Sequence, residues 1–585
     1  MNQVKVPTIL RLTISRFRGI KSLDWYPAGG LNVILGGGDV GKTTVLSAVG
    51  LLLSPTNQTP IWDTEYYSRD TDAGFIIEAV FKLPPDSGVS NQLKPSWPWH
   101  WNGNDAVVPS TGGNEQESEP AYKLRVSGSP DLEPLFEIVQ PDGTTDPLSV
   151  GLRRGIGLVR LVGDDLGDRD LRLVQGSALD RLLSDRTLRG KLRNSLADTT
   201  DVKNCLAPEA KTAMEKLDAA FQERALPHKL DLAITGGGQG TSSIAALIGL
   251  TAERGDCRLP MVSWGAGTRR LAALTIAAEN QGETPVTLVD EIERGLEPYR
   301  QRALVEDLQK SRCQVFVTTH SPTVIATAAK AHIWYLDHAG NIGEIAGAAT
   351  ERLRKNDPNV LLARLALVAE GVTEQGFVTA LLEKAVGPLP QYGIHVCDGA
   401  GHDAALEVLQ AFSKAHLQIG GFVDNEAKHT GRWKEVKEAL GDLLFQWDSG
   451  CIEANIINLL PDDKLPQLIC DPTDRKTGYR LRSLADRLGS TVKDLETIEA
   501  SAGAGLKQLI LDTALGKVPD GTPKEQAKAY RSETQTWFKT FDGGRELAEK
   551  SLSLGIWGDL KSKLLPFCNS VREAIGLSKI GDLSP

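Results

Sequence analysis

The sequence predicts an α/β protein of two modules, and three observations carry that expectation. Near the start a glycine-rich loop separates a buried strand from a buried helix; far downstream another buried strand ends in adjacent acids; after residue 360 strand, glycine turn and helix alternate. The expected boundaries are 1–177 and 231–350 for two lobes of an N-terminal module, 178–230 for a helical insertion between them, and 360–585 for a C-terminal module with helical additions.

A chain of 585 residues with 41% hydrophobic content can build two or three domains with cores of their own. No apolar run reaches bilayer length, and the opening MNQVKVPTILRLTISRF has the pattern of a strand rather than a secretory signal, so a cytoplasmic protein without membrane contact is expected. Seven cysteines without a CxxC pair suggest neither a zinc knuckle nor a disulfide framework, which fits a reducing compartment. The net charge of -10 does not attract nucleic acid, so DNA contact has to come from local basic segments or bound cations.

Residues 36–44, GGGDVGKTT, satisfy GxxxxGKS/T through Gly36, Gly41, Lys42 and Thr43, between the strand LNVIL and the helical TVLSAVGLLL. Backbone N–H groups of such a loop wrap phosphates, Lys42 reaches the β and γ oxygens, and the Thr43 hydroxyl ligates magnesium; Gly38 and Thr44 complete the expected ATP-binding set. In VTLVDEIERGLEP, 286–298, Asp290 would orient the magnesium and Glu291 activate the attacking water. CQVFVTTHSP ends near His320, placed to meet the γ-phosphate, and in SWGAGTRRLAALTIAA the small residues Ser263, Gly265 and Gly267 open a helix as an anion site.

The order of these four elements resembles the ABC-type ATPases, in which the signature of one protomer completes the ATP site of another. Here it reads SWGAG where those proteins carry LSGGQ. The resemblance implies a homodimer through the ATPase region. The opening LTISRFRGIKSLDWYPAGGLNVILG likewise resembles SMC- and RecF-like heads, with FRG before the Walker strand.

Two stretches interrupt this head. Residues 84–146, rich in Pro, Gly, Ser, Asn and Trp, predict a long irregular surface insertion. There Trp97, Trp99 and Trp101 alternate as in a strand; packing against the head is favoured over base stacking. Residues 178–227 have helical spacing and predict an inserted dimerisation arm, whose Arg186, Arg189, Lys191 and Arg193 are read as a solvated face in preference to a phosphate contact.

After a polar connector, RLRKNDPN at 352–359, comes LARLALVAEGVTEQGFVTALLEKA: a buried strand with Glu370 at its C-terminal end, then a helix with Glu374 one turn away. YGIHVCDGAGHDAALEVLQAF repeats the pattern with Asp403 as the expected N-cap. LQIGGFVDNEAKH gives a third strand, at whose end Asp424 and Glu426, two apart, would face one cation. The fourth strand, DLLFQWDSG, leads to a helix opening with Glu453, either a second-metal ligand or a carboxylate answering the helix dipole. In WFKTFDGGRELAEKSL, Lys539 precedes an expected Asp-Gly-Gly turn and a helix; it would offset charge on a scissile phosphate or lie on plain surface.

ExxxE followed by DxE at strand ends resembles the Toprim domain of topoisomerases, primases and nucleases, many of which have DxD. An ABC head followed by a Toprim module resembles the OLD (overcoming lysogenization defect) family of nucleases, over nearly the whole chain. In that family a glutamate pair, an acid pair, a further glutamate and a late lysine look like Glu370, Glu374, Asp424, Glu426, Glu453 and Lys539 here. The resemblance implies an ATP-hydrolysing, divalent-metal-dependent endonuclease that nicks or cleaves double-stranded DNA, in phage defence or DNA processing. It would use one Mg2+ with ATP, held by Thr43 and Asp290, and two Mg2+ or Mn2+ ions at the acids. Gabija-type systems pair such a nuclease with a UvrD-type helicase, the candidate protein partner. Three rivals remain in view. A topoisomerase needs a nucleophilic tyrosine, and none of the nine tyrosines sits in such a motif. A RecF-like ATP-dependent clamp would bind DNA without cutting it, and an SMC-like structural protein needs sustained heptads that the chain lacks.

Overall fold

The computed structural model describes residues 6–57, 59–84, 87–89, 98–109, 119–161, 170–174, 177–183, 206–234, 248–279, 286–470 and 476–583. The chain forms two compact units, Met1–Glu344 and Ile345–Pro585.

The first unit holds a six-stranded sheet in which five strands run parallel in the order Leu158–Leu161, Val286–Val289, Val315–Thr318, Leu31–Leu35, His332–Leu336. The four strands from Val286–Val289, Val315–Thr318 and Leu31–Leu35 to His332–Leu336 are almost wholly apolar and buried, as parallel strands covered on both faces are. Beside it an eight-stranded sheet contains the antiparallel pairs Thr8–Phe17 with Ile20–Trp25 and with Phe75–Lys82. Buried Gln314 stitches the two sheets: its side-chain amide accepts from the Ile9 N–H at 2.7 Å and donates to the Ile9 and Ala28 carbonyls, both at 3.0 Å. A side-chain amide thereby replaces one rung of backbone pairing.

The described part of residues 84–146 is not irregular. It extends the antiparallel sheet through Trp99–Trp101, Ala106–Val107, Glu119–Gly128, Pro134–Val139 and Thr145–Pro147. Turn-forming composition masked the alternation in EPAYKLRVSG, whose inward side chains are buried. Trp99 donates its indole N–H to the Val139 carbonyl at 2.8 Å, and Trp99 and Trp101 pack against Val80, Ala106 and Ala121; Trp97 lies outside the described residues.

Of the expected helical arm, Ala178–Leu183 and Pro208–Glu223 are described, and both pack on the helix Ala266–Glu279 within the same unit. Met214, Leu217 and Phe221 form the buried face of the longer one. Arg186, Arg189, Lys191 and Arg193 lie outside the described residues.

The second unit is built on a four-stranded parallel sheet, ordered Ile394–Asp398, Leu365–Ala369, Ile419–Val423, Leu444–Gln446. The two central strands are buried at every position. Gly420 and Gly421 admit close packing, since a β-carbon on Gly420 would stand 2.6 Å from the Leu443 carbonyl oxygen. The expected connector at 352–359 is instead a helix, Ala348–Asn356, and a short 3-10 turn, Pro358–Leu362, with Thr350, Leu353, Val360 and Leu361 buried inside this unit. Its charged residues concealed that apolar stripe, and the second unit therefore begins at Ile345.

Candidate functional sites

In the first unit the strand Leu31–Leu35 delivers the chain to the glycine loop, and the helix Lys42–Leu52 leaves it. Gly36 takes φ 151, and a β-carbon there would meet the Leu336 carbonyl oxygen at 2.4 Å, so only glycine fits. Gly41 is left-handed at φ 101, while Gly38 is exposed in open space. The FRG element supports this loop: Ile20 lies under Gly41, and Arg18 forks onto Glu65 at 2.6 and 3.0 Å and onto the Ser47 hydroxyl at 3.1 Å. Lys42, buried at the helix start, donates to the carbonyls of Gly36 and Gly37 at 2.9 and 2.6 Å; its desolvation lowers its pKa, opposed by Asp290. Thr44 follows it in the first turn.

The expected partners converge on Asp290. It accepts from the Thr43 hydroxyl at 3.0 and 3.1 Å and from the Thr318 hydroxyl at 2.5 Å. Glu291 is exposed, in a left-handed conformation at φ 48, with its N–H held by Thr318 at 2.8 Å. A non-glycine residue there stores backbone strain, common where a side chain is aimed for chemistry. Arg270 donates to the Asp290 carbonyl from the neighbouring helix.

His320 is exposed, and its N–H is fixed by a residue that sequence inspection passed over. Glu293 accepts the His320 N–H and the Thr319 hydroxyl, both at 2.7 Å. Its run, DEIERG, carries no spacing signal for that role. In the signature, the Ser263 hydroxyl donates to the Pro260 carbonyl at 2.7 Å and Gly265 faces open space. Gly267 is a packing glycine: a β-carbon on it would lie 1.9 Å from the Gly295 carbonyl oxygen.

In the second unit the C-terminal ends of parallel strands gather carboxylates. Glu370 follows Leu365–Ala369, Asp424 follows Ile419–Val423, Glu374 lies in the first turn of the helix Val372–Ala385, and Glu453 in the first turn of Ile452–Leu459. Their exposures are 8%, 7%, 4% and 0% in that order. Glu370 Oε2 accepts the Asp424 N–H at 3.0 Å, and Asp424 Oδ1 accepts the Ile452 N–H at 3.0 Å, which ties the site to a helix N-terminus.

Burial and then mutual repulsion set the proton affinities. Glu374 is raised to about 7 by desolvation and next by Glu453; Asp424 is raised to about 9 by desolvation and next by Glu374 and Glu370. Burial opposes charge on Lys539, yet Glu453, 3.0 Å away, overrides it and raises the ammonium pKa. Apart from this ion pair, neither Glu453 oxygen receives a hydrogen bond of regular geometry.

Lys539 reaches the acids through helix packing. The helix Phe541–Ser553 crosses Val372–Ala385 so closely that a β-carbon on Gly544 would meet the Thr373 carbonyl oxygen at 2.0 Å, and one on Gly376 the Phe541 oxygen at 1.9 Å. Gly543 and Gly544 therefore lie inside that helix rather than in an Asp-Gly-Gly turn, and Thr540 is its N-cap, accepting the Gly543 N–H at 3.0 Å. Buried Arg480 anchors the preceding segment by a two-pronged bond to Glu546, at 2.7 Å each, and by the Thr536 and Trp537 carbonyls.

Two expectations change. Glu426 is not on a strand: the strand ends at Val423, and Glu426 is 43% exposed and paired with Lys428 at 2.8 Å. Asp403 does not cap its helix; Gly401 holds that position and Asp403 is exposed beside His429. His402, missed in the sequence, is buried against Glu370.

Among the described residues no three His, Cys, Asp or Glu side chains already close on one centre. The buried Glu453 carboxylate, held by its ion pair with Lys539, and Glu374 and Asp424, whose proton affinities burial and neighbouring carboxylates raise, nevertheless suit a hard cation, which keeps several waters and needs few carboxylates.

The family described as "AAA domain, putative AbiEii toxin, Type IV TA system" matches residues 31–326, just over half of the chain. A curated protein of Thermus scotoductus named OLD nuclease is 25% identical over 341 residues, covering 53% of this chain and 58% of its own length. The chain thus spans little more than half of that relative. Partial likeness is also found to an Smc head domain bound to the C-terminal domain of ScpA, from Pyrococcus furiosus (TM-score 0.35, 15% identity, 58% of this chain and 97% of that one). The recombination mediator RecF with ATP is similar to the same degree (TM-score 0.36, 14% identity, 59% and 99%). Among the described residues no helix is long and apolar enough to cross a membrane. The chain belongs to the AAA-domain family that its first unit matches, and the likeness to OLD-family ATPase–nucleases drawn from its motifs is met by a relative of that name.

Proposed function

We propose that the chain is an ATP-hydrolysing, divalent-metal-dependent DNA endonuclease, with the second unit a Toprim-type nuclease domain and the first controlling when or where it cuts. One observation carries this proposal: Glu370, Glu374, Asp424 and Glu453 meet in a buried cluster at the C-terminal ends of a parallel sheet, with Lys539 against Glu453. A structural role alone does not account for four acids in mutual repulsion, because such burial costs stability.

Bound Mg2+ or Mn2+ would supply a polarised water and neutralise charge on the scissile phosphate. Glu370 and Asp424 would hold one ion, with Glu426 on the rim, and Glu374 and Glu453 the other. Glu370 keeps Oε2 on the Asp424 N–H, and among the described residues no hydrogen bond engages its Oε1. Lys539, 39% exposed at its side chain, keeps its charge and can move from Glu453 to a phosphate oxygen. In the first unit Lys42 and the loop N–H groups would hold ATP phosphates, Thr43 and Asp290 its Mg2+, and Glu291 the attacking water. Two heads would associate through Ser263 and the signature helix. The net charge of -10 makes cations at the acids part of DNA recognition as well as of chemistry. Phage defence, and a UvrD-type helicase as partner, extend the same proposal.

Supercoiled-plasmid cleavage tests it, with Mg2+, Mn2+ or chelator, with and without ATP, for the wild type, Glu370→Ala and Asp424→Ala. Metal-dependent nicking lost in both variants is expected. Intact plasmid throughout, with ATP turnover and ATP-dependent DNA binding preserved, would point to a RecF-like clamp instead.

A further inference from the structure

Glu370 has two carboxylate oxygens, and the hydrogen bonds among the described residues use only one. Oε2 takes the Asp424 N–H at 3.0 Å and faces His402 Nδ1 at 3.1 Å. On the far side of the ring, His402 Nε2 faces Trp433 Nε1 at 2.8 Å. An indole N–H only donates, so Nε2 is the acceptor and the ring proton sits on Nδ1, pointed at Glu370. The two rings come from neighbouring helices, His402–Lys414 and Thr430–Leu440, with centroids 5.0 Å apart, and both are buried. Neither ring nitrogen is free to ligate anything, so His402 is not itself a ligand.

We infer that His402 is a positioning residue of the acid site and that Trp433 selects its tautomer, so that Glu370 is turned with Oε2 toward the protein and Oε1 toward the cation. This inference rests on the proposed divalent-cation site. It inverts the common arrangement, in which a carboxylate orients a ligating histidine. Here the histidine orients a ligating carboxylate, and an indole orients the histidine. The sequence gives the arrangement no motif: Glu370, His402 and Trp433 lie 32 and 31 positions apart along the chain.

The test is Mn2+ binding to the full chain without nucleotide, by titration calorimetry, alongside the Mn2+ dependence of plasmid nicking. Glu370→Gln is the control for the site itself. His402→Leu should weaken Mn2+ binding roughly 10- to 100-fold and raise the Mn2+ concentration needed for half-maximal nicking by a similar factor. His402→Asn, whose amide donates from near the Nδ1 position, should recover most of the affinity, and Trp433→Phe should fall between them. If the wild type binds no Mn2+, or Glu370→Gln binds it unchanged, the cation site fails and the inference with it. If Glu370→Gln loses binding while His402→Leu keeps wild-type affinity, the inference alone is overturned. A loss of thermal stability shared by all three His402 and Trp433 variants, with Mn2+ affinity unchanged, would likewise make the pair structural and overturn it.

Discussion

Glu374 and Asp424 hold their protons far above the ordinary carboxyl range, to about 7 and about 9, chiefly because burial strips them of water. An acid raised in the folded state binds more protons there than in the unfolded chain, so the stability linked to it is present below the ordinary range and is lost as pH rises through the folded value. The melting temperature of the metal-free protein should therefore fall between about pH 5 and 9, and Glu374→Gln should flatten that fall; a pH series of melting curves with chelator checks both. The ATP site offers a separate residue-scale prediction. Lys42→Ala should abolish ATP binding, and Glu291→Gln should cut turnover by about 10²- to 10⁴-fold with binding retained, while Glu370→Ala leaves turnover unchanged. Glu293→Ala should slow turnover without loss of nucleotide affinity, because it frees the His320 N–H and the Thr319 hydroxyl; steady-state ATPase assays with nucleotide-binding titrations separate these cases. The Walker loop, Asp290 and the acids at strand ends were legible because a motif or strand fixes each residue's direction locally. His402, Trp433 and Glu293 were not, since their partners are supplied by other elements, and Glu426 was misplaced because the strand stops one residue before Asp424.

Close helix crossing, not loop geometry, brings Lys539 to Glu453. Gly544→Ala would force a methyl group against the Thr373 carbonyl, and Thr373 itself donates to Phe538 at 3.1 Å, so the crossing has to open at the point that carries Lys539. We expect a loss of about 1–3 kcal/mol in urea denaturation and a larger loss of nicking than of stability. The Gly267–Gly295 contact predicts the same for the signature helix: Gly267→Ala should lower ATPase activity while leaving Mn2+ binding intact. Elements with a clean period were readable in advance, including all four strands of the second sheet. Residues 84–146 and 352–359 were not, because turn-formers or charges diluted an apolar pattern that burial makes plain.

At the scale of the molecule, two compact units with separate cores should melt as two transitions. Ligands that bind only the native form of one unit should raise only its transition. Calorimetry should show Mg-ATP acting on one and Mn2+ without nucleotide on the other; a single transition moved equally by both would contradict this division. The two-module α/β plan was visible from motif order alone, whereas the start of the second unit at Ile345 was hidden in a helix that composition disguised as a linker.

The bond from Thr373 to Phe538 spans 165 positions of the chain. A contact that distant forms only after the long loop between its partners has been closed at an entropic cost. A growing chain makes Glu370, Glu374, Asp424 and Glu453 before it makes Lys539. In the proposed nuclease the lysine is the last of these five side chains to be made, and cutting waits on its arrival.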